Sequence, residues 1–203
     1  MCYHIKQEKD IETIEKRFNA KAAVSIQINS SHYNGFTHPQ TPVITNLHPH
    51  LIQLFNWGLI PSWSKDKDIQ KFTLNAKIET ITEKPSFRGN VKNRCLIIAD
   101  GFFEWQWLDP KGKQKQQYFI SLPGEEPFAM AGIYSAWTDK ETGEILHTYS
   151  IITTEADSFM AEIHNSKKRM PLVLTPANEK LWLQGNNIEE FTNPEIKLVA
   201  IAI

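Results

Sequence analysis

From Arg94 to Thr154 the chain reads as five runs of apolar, aromatic and β-branched residues: "RCLIIAD", "FFEWQWL", "QQYFISL", "PFAMAGIYSAW" and "ILHTYSIITT". The breaks between them, such as "DPKGK" and "TDKETGE", are the size of hairpin turns. A parallel crossover needs a dozen or more connecting residues, so strands this closely spaced must mainly run antiparallel. The expected class is therefore α+β: a single domain on a mainly antiparallel or mixed, curled, barrel-like sheet with a few short helices.

The remaining segments fit that frame. "KDIETIEKRFNA" places Ile11, Ile14 and Phe18 at helical spacing. "AAVSIQIN" alternates like a strand, and "PVITN" and "HLIQLFNWG" read as two strands joined through "LHP". "SSHYNGFTHPQTP" and "LIPSWSKDKD" read as loops. "NAKIETITE" predicts a helix with Asn75 as its N-cap. A helix in "EADSFMAEI", a strand in "RMPLVLT" and a helix in "PANEKLWLQG" complete the chain, with Pro176 near the start of the last and Gly185 at its end. About eight strands and four short helices are expected within one domain spanning 1–203, whose C-terminal end could be truncated.

Composition narrows the function classes. With 22 Lys and Arg against 23 Asp and Glu, the net charge of −1 gives no global attraction to nucleic acid or membrane, so any nucleic-acid site must be a local patch. Two cysteines, Cys2 and Cys95, are too few for a disulfide framework and fit a reducing cytoplasm. No apolar stretch of signal-peptide or transmembrane length is present, which places the expected protein in the cytoplasm and off the membrane.

Several residues can carry chemistry. Removal of Met1 would leave Cys2 with a free α-amine and a thiol, whose ordinary pKa values of about 8 and 8.5 leave both partly deprotonated at neutral pH. That pair condenses with an aldehyde, first as a Schiff base and then as a thiazolidine. A small residue incidental to the terminus is the plainer alternative. In "ADGFFEWQW", Glu104 lies among Phe102, Phe103, Trp105 and Trp107. It is either a solvated strand residue or a carboxyl in an apolar wall whose raised pKa suits proton transfer. In "AEIHNSKKRMPLVL", His164 precedes Lys167, Lys168 and Arg169, cations that would lower its pKa and attract phosphate. Trp63 in "NWGLIPSW" is either core or a surface on which a base can stack. No ligand spacing for a metal and no nucleotide-binding glycine motif is found, so neither metal nor cofactor is expected.

Taken in order, "MCYHI", "WGLIPSW", "NAKIET", "RCLIIADGFFEW" and "IHNSKKRMPLVL" resemble the SOS response-associated peptidase (SRAP) family from residue 2 to about residue 184. The resemblance implies a monomeric sensor of abasic sites in single-stranded DNA, joined to the lesion through a thiazolidine on the N-terminal Cys. By motif, Cys2 is the nucleophile and Asn75 holds its amine or the adduct. Glu104 moves protons, and His164 hydrogen-bonds the opened deoxyribose. The implied DNA contacts are Pro39, Trp63, Lys77, Lys167, Lys168 and Arg169. The chain departs from the family pattern at Tyr3 and His4, where Gly-Arg is common, at Lys77 for Arg, in "YNGFTHPQ", and in a longer segment between His164 and Arg169. Two other functions remain open at this level: a peptidase with an N-terminal cysteine nucleophile, and a non-catalytic reader of modified bases.

Overall fold

The computed structural model describes residues 2–23, 26, 32–192 and 196–203. In chain order the elements are β1 (His4–Lys6), α1 (Ile11–Phe18), β2 (Lys21–Ala22), β3 (His32–Asn34), β4 (Gln40–Thr45), β5 (Leu51–Trp57), β6 (Asn75–Lys77), α2 (Pro85–Arg88) and β7 (Arg94–Ala99). There follow β8 (Gly101–Trp107), β9 (Lys115–Ser121), β10 (Phe128–Thr138), β11 (Ile145–Glu155), α3 (Ser158–Ile163), β12 (Arg169–Pro171), β13 (Val173–Leu174), α4 (Pro176–Gln184) and β14 (Val199–Ala202). No helix among the described residues is long and apolar enough to cross a membrane.

Five strands close on themselves. β5, β4, β7, β10 and β11 pair antiparallel in succession, and β11 then meets β5 in parallel register, Thr148 opposite Asn56 and Tyr149 opposite Trp57. Alternation along these strands sorts their side chains. Val43, Trp57, Cys95, Ile97, Met130, Tyr149 and Ile151 form part of one buried cluster. Ile44, Ile52, Leu96, Ile98, Ala131 and Ile133 belong to a second, completed by Ile14 of α1 and Trp182 of α4. A separate antiparallel sheet in the order β14-β9-β8-β1-β3 stands beside the barrel.

Asp100 and Gly101 form the corner between the two. β7 ends in the barrel at Ala99, and β8 starts in the small sheet one residue after Asp100. The buried Asp100 carboxylate accepts from the backbone N–H of Lys9 at 2.9 Å, and its own N–H donates to the Lys6 carbonyl at 2.8 Å. These bonds fasten the end of β1 to the corner. A Cβ at position 101 would lie 2.7 Å from the Ile120 carbonyl oxygen, which explains glycine there.

The structure corrects three local expectations. "NAKIETITE" does not begin a helix at Asn75: residues 75–77 are β6, paired in parallel with β11, and a 3-10 turn follows at Ile78–Thr80. "SSHYNGFTHPQTP" is not wholly loop, because β3 pairs with β1 and β4 begins at Gln40. "RMPLVLT" splits in two, β12 joining β11 and β13 joining β10. In each case a distant strand supplies hydrogen bonds that local propensity cannot register. The expected strand "AAVSIQIN" lies mostly outside the described residues; β2 covers Lys21–Ala22 only.

Candidate functional site

Cys2 leads into β1 and is fully buried. Its Sγ–H points at the His4 carbonyl, 3.7 Å away. Burial, reinforced by the Glu104 carboxylate, pushes the thiol well above the ordinary cysteine range. The Cys2 carbonyl accepts a 2.8 Å hydrogen bond from Asn75 Nδ2. β6 owes its position to β11 and to Trp57, whose indole N–H donates to the Leu74 carbonyl at 2.9 Å. Asn75 Oδ1 is buried and without a hydrogen-bond partner among the described residues.

β8 contributes Glu104 from the face it shares with the buried Phe102, opposite Phe103 and Trp105. Glu104 is 4% exposed, and burial pushes its carboxyl up to about 7. His164 follows α3, which is capped by Asp157. Its Nδ1 lies 2.6 Å from the Arg169 carbonyl and 3.2 Å from the Arg169 N–H, and Nε2 faces Glu104 Oε2 at 4.0 Å. Burial lowers His164 to about 4, the Lys167 charge adding to the effect and the hydrogen bond to the Arg169 backbone opposing it. Sequence pointed to the cations as the cause, whereas burial leads. Between these two values the carboxyl and the imidazole are both neutral, so they face each other without forming an ion pair.

That assignment has a measurable consequence. A buried carboxyl raised from 4.5 to about 7 makes the folded state hold more protons than the unfolded one, so it lowers stability as pH climbs through that interval. An imidazole lowered from 6.5 to about 4 does the opposite, raising stability between those values. Each is worth roughly 3 kcal/mol across its window. In Glu104→Gln only the rising contribution remains, so the variant gains stability over the parent from about pH 4.5 to 7. Urea midpoints measured along a pH series check this; parallel curves for the two proteins would show that Glu104 is not held neutral.

The segment after His164 is tied at both ends. The Lys168 N–H donates to the His164 carbonyl and the Ala156 N–H to the Lys168 carbonyl, at 2.8 and 3.0 Å. The Asn165 amide bonds both backbone groups of Trp107, accepting from its N–H at 3.0 Å and donating to its carbonyl at 2.9 Å. Arg169 is 8% exposed, and its guanidinium forks onto Glu79 at 2.7 and 2.9 Å and reaches the Thr153 carbonyl.

Thus Cys2, Asn75, Glu104 and His164, distant in sequence, meet between the barrel and the small sheet. Lys77, Lys167 and Lys168 are exposed, Trp63 is exposed in its loop, and Pro39 is half-buried, its carbonyl accepting from the Trp57 N–H. Met1 lies outside the described residues. Sequence reasoning marked Tyr3 only as a departure from the family pattern, whereas its hydroxyl is pushed up by burial and by Glu104 and Cys2. Its position directly after Cys2 was the available signal.

The fold and site define a barrel-cored α+β domain that presents a near-terminal cysteine beside a carboxyl–imidazole pair. The family model described as SOS response associated peptidase (SRAP) matches residues 1–199, and the chain belongs to that family. "Abasic site processing protein YoqW" of Bacillus subtilis is 47% identical over 134 residues, covering 66% of this chain and 57% of that protein. "Abasic site processing protein HMCES" of Gallus gallus is 37% identical over 168 residues, 70% of this chain and 47% of that protein. The matches therefore span about half the length of these relatives. A crystal structure of a protein from Bacteroides thetaiotaomicron superposes with a TM-score of 0.90 at 38% identity, covering 100% of this chain and 92% of that one.

Proposed function

We propose that this protein processes abasic sites in single-stranded DNA by bonding covalently to them through Cys2 once Met1 has been removed, acting as a monomer in the cytoplasm. The observation that carries the reading is the burial of Cys2 in one cluster with Glu104, His164 and Asn75. The names of the relatives support DNA-lesion processing as its setting.

The ring-opened sugar at an abasic site carries an aldehyde. The Cys2 amine adds to its carbon to form a carbinolamine, which loses water to give an iminium. The thiol sulfur then adds to the same carbon and its proton is released, closing a thiazolidine. Glu104, protonated up to about pH 7, donates to the departing hydroxyl, and the resulting carboxylate accepts the thiol proton. This suits a thiol that burial keeps neutral at rest. His164 Nε2 accepts from a hydroxyl of the opened sugar, while Asn75 fixes the Cys2 carbonyl and offers Oδ1 to the amine. Lys77, Lys167 and Lys168 supply cations to the phosphates, Trp63 and Pro39 border the strand, and Arg169 holds the end of the His164 segment through Glu79.

The test is incubation of Met1-trimmed protein with end-labelled single-stranded DNA bearing one abasic site, followed by a denaturing gel. A slow band that requires the abasic site is expected. Hydrolysis of peptides without such a band would make the protein a peptidase instead, and reversible DNA binding without a band would make it a reader.

A further inference from the structure

The loop joining β3 to β4 holds Phe36, a residue 55% exposed, although the backbone beneath it is thoroughly fastened. The Gly35 N–H donates to the Tyr3 carbonyl at 2.8 Å, and the Phe36 N–H to Asn34 Oδ1 at 3.0 Å. Thr37 Oγ1 donates to the Asn34 carbonyl at 2.8 Å. His38, in left-handed conformation at φ 51°, places Nδ1 2.9 Å from the Trp57 carbonyl and accepts at its own carbonyl from Asn56 Nδ2 at 3.1 Å. Gly35 lies flat on the Trp57 indole, where a Cβ would sit 3.2 Å from the ring. Solitary exposed apolar side chains are common. This one, however, stands on a fastened backbone and leans against Tyr3 in a tilted contact, ring centroids 4.8 Å apart and planes 31° from parallel. Tyr3 is bonded directly to Cys2 and packs against the core cluster that contains it.

We infer that the Phe36–Tyr3 pair is a stacking shelf for the nucleobase next to the abasic sugar, and that it makes the protein favour lesions flanked by a purine. The inference rests on the DNA reading above. A base beside an abasic site has lost its stacking neighbour, and an exposed ring anchored to the reacting residue can take that place. Base–aromatic stacking tolerates any base but strengthens with ring area, which favours purines. Tyr3 is the residue next to Cys2 and feels both its thiol and the Glu104 carboxylate, so the shelf stands beside the reacting group and would receive the base nearest the bonded sugar.

The experiment uses Met1-trimmed protein, Phe36→Ala and Phe36→Trp, with single-stranded oligonucleotides carrying tetrahydrofuran, an unreactive abasic analogue. The base on either side is 2-aminopurine, thymine or a second tetrahydrofuran, and affinity and 2-aminopurine fluorescence are read together. The parent and Phe36→Trp should quench 2-aminopurine on one side. Phe36→Ala should lose that quench and bind on the order of tenfold more weakly. The difference should shrink for thymine and vanish when the flanking base is absent. Equal affinity and quench in parent and Phe36→Ala would overturn the shelf, as would a loss that persists without the flanking base. A parent that cross-links abasic DNA yet ignores its neighbours removes the shelf alone. A parent that neither binds nor cross-links removes the DNA reading and the shelf together.

Discussion

Cys2→Ser protein, trimmed of Met1, will leave no adduct with abasic single-stranded DNA on a denaturing gel. Serine keeps the α-amine and nearly the volume of cysteine, so the buried position should still fold. The imine can still form. A hydroxyl closes on it far less readily than a thiol, however, and an unclosed imine hydrolyses when the protein unfolds. Borohydride added before denaturation should therefore restore a band in Cys2→Ser by reducing the imine to an amine, while the parent needs no reductant. This pairing separates loss of ring closure from loss of binding. An undiminished adduct in Cys2→Ser without reductant would rule out the thiazolidine.

The second large effect concerns the amine. Protein that keeps Met1, or carries any N-terminal extension, should form no thiazolidine, because the nitrogen of Cys2 is then an amide and cannot condense with an aldehyde. The thiol alone can add to give a hemithioacetal, which reverts on denaturation. Borohydride should rescue nothing through Cys2 in this case, unlike Cys2→Ser. Intact-mass spectrometry of each preparation, followed by the gel assay on the same batch, links band intensity to the trimmed fraction. A fully Met1-retaining batch that cross-links as well as a trimmed one would show that the Cys2 amine takes no part.

The barrel strands were legible because each is a long apolar run bounded by turn residues, and β10 and β11 in particular span eleven residues each. The pieces that bring the site together were much harder to read. β1 and β6 are three residues long, and neither signals a strand without its partners. Asn75 shows why: asparagine is a good helix cap, and nothing local says that its amide will find the carbonyl of Cys2. Glu104 was more accessible, since "GFFEW" itself supplies an apolar wall and the raised pKa follows from burial there. The partners of Arg169 were not, because Glu79 and Thr153 come from separate segments. The closing contact between β11 and β5 is equally non-local, although it turns an open sheet into a barrel.

The bracketing of the segment after His164 bears on how such a protein can vary. The imidazole is held by the Arg169 carbonyl, and Asn165 docks on Trp107 as a neighbouring strand would. Ser166 and Lys167 protrude between these anchors and are exposed. Ser166 and Lys167 can thus be exchanged without unseating the histidine, but the Lys167 charge helps hold its pKa down. The exposed residues of the segment lie outside the hydrogen bonds that hold His164, so the surface there can vary in shape while the imidazole keeps its place against Glu104.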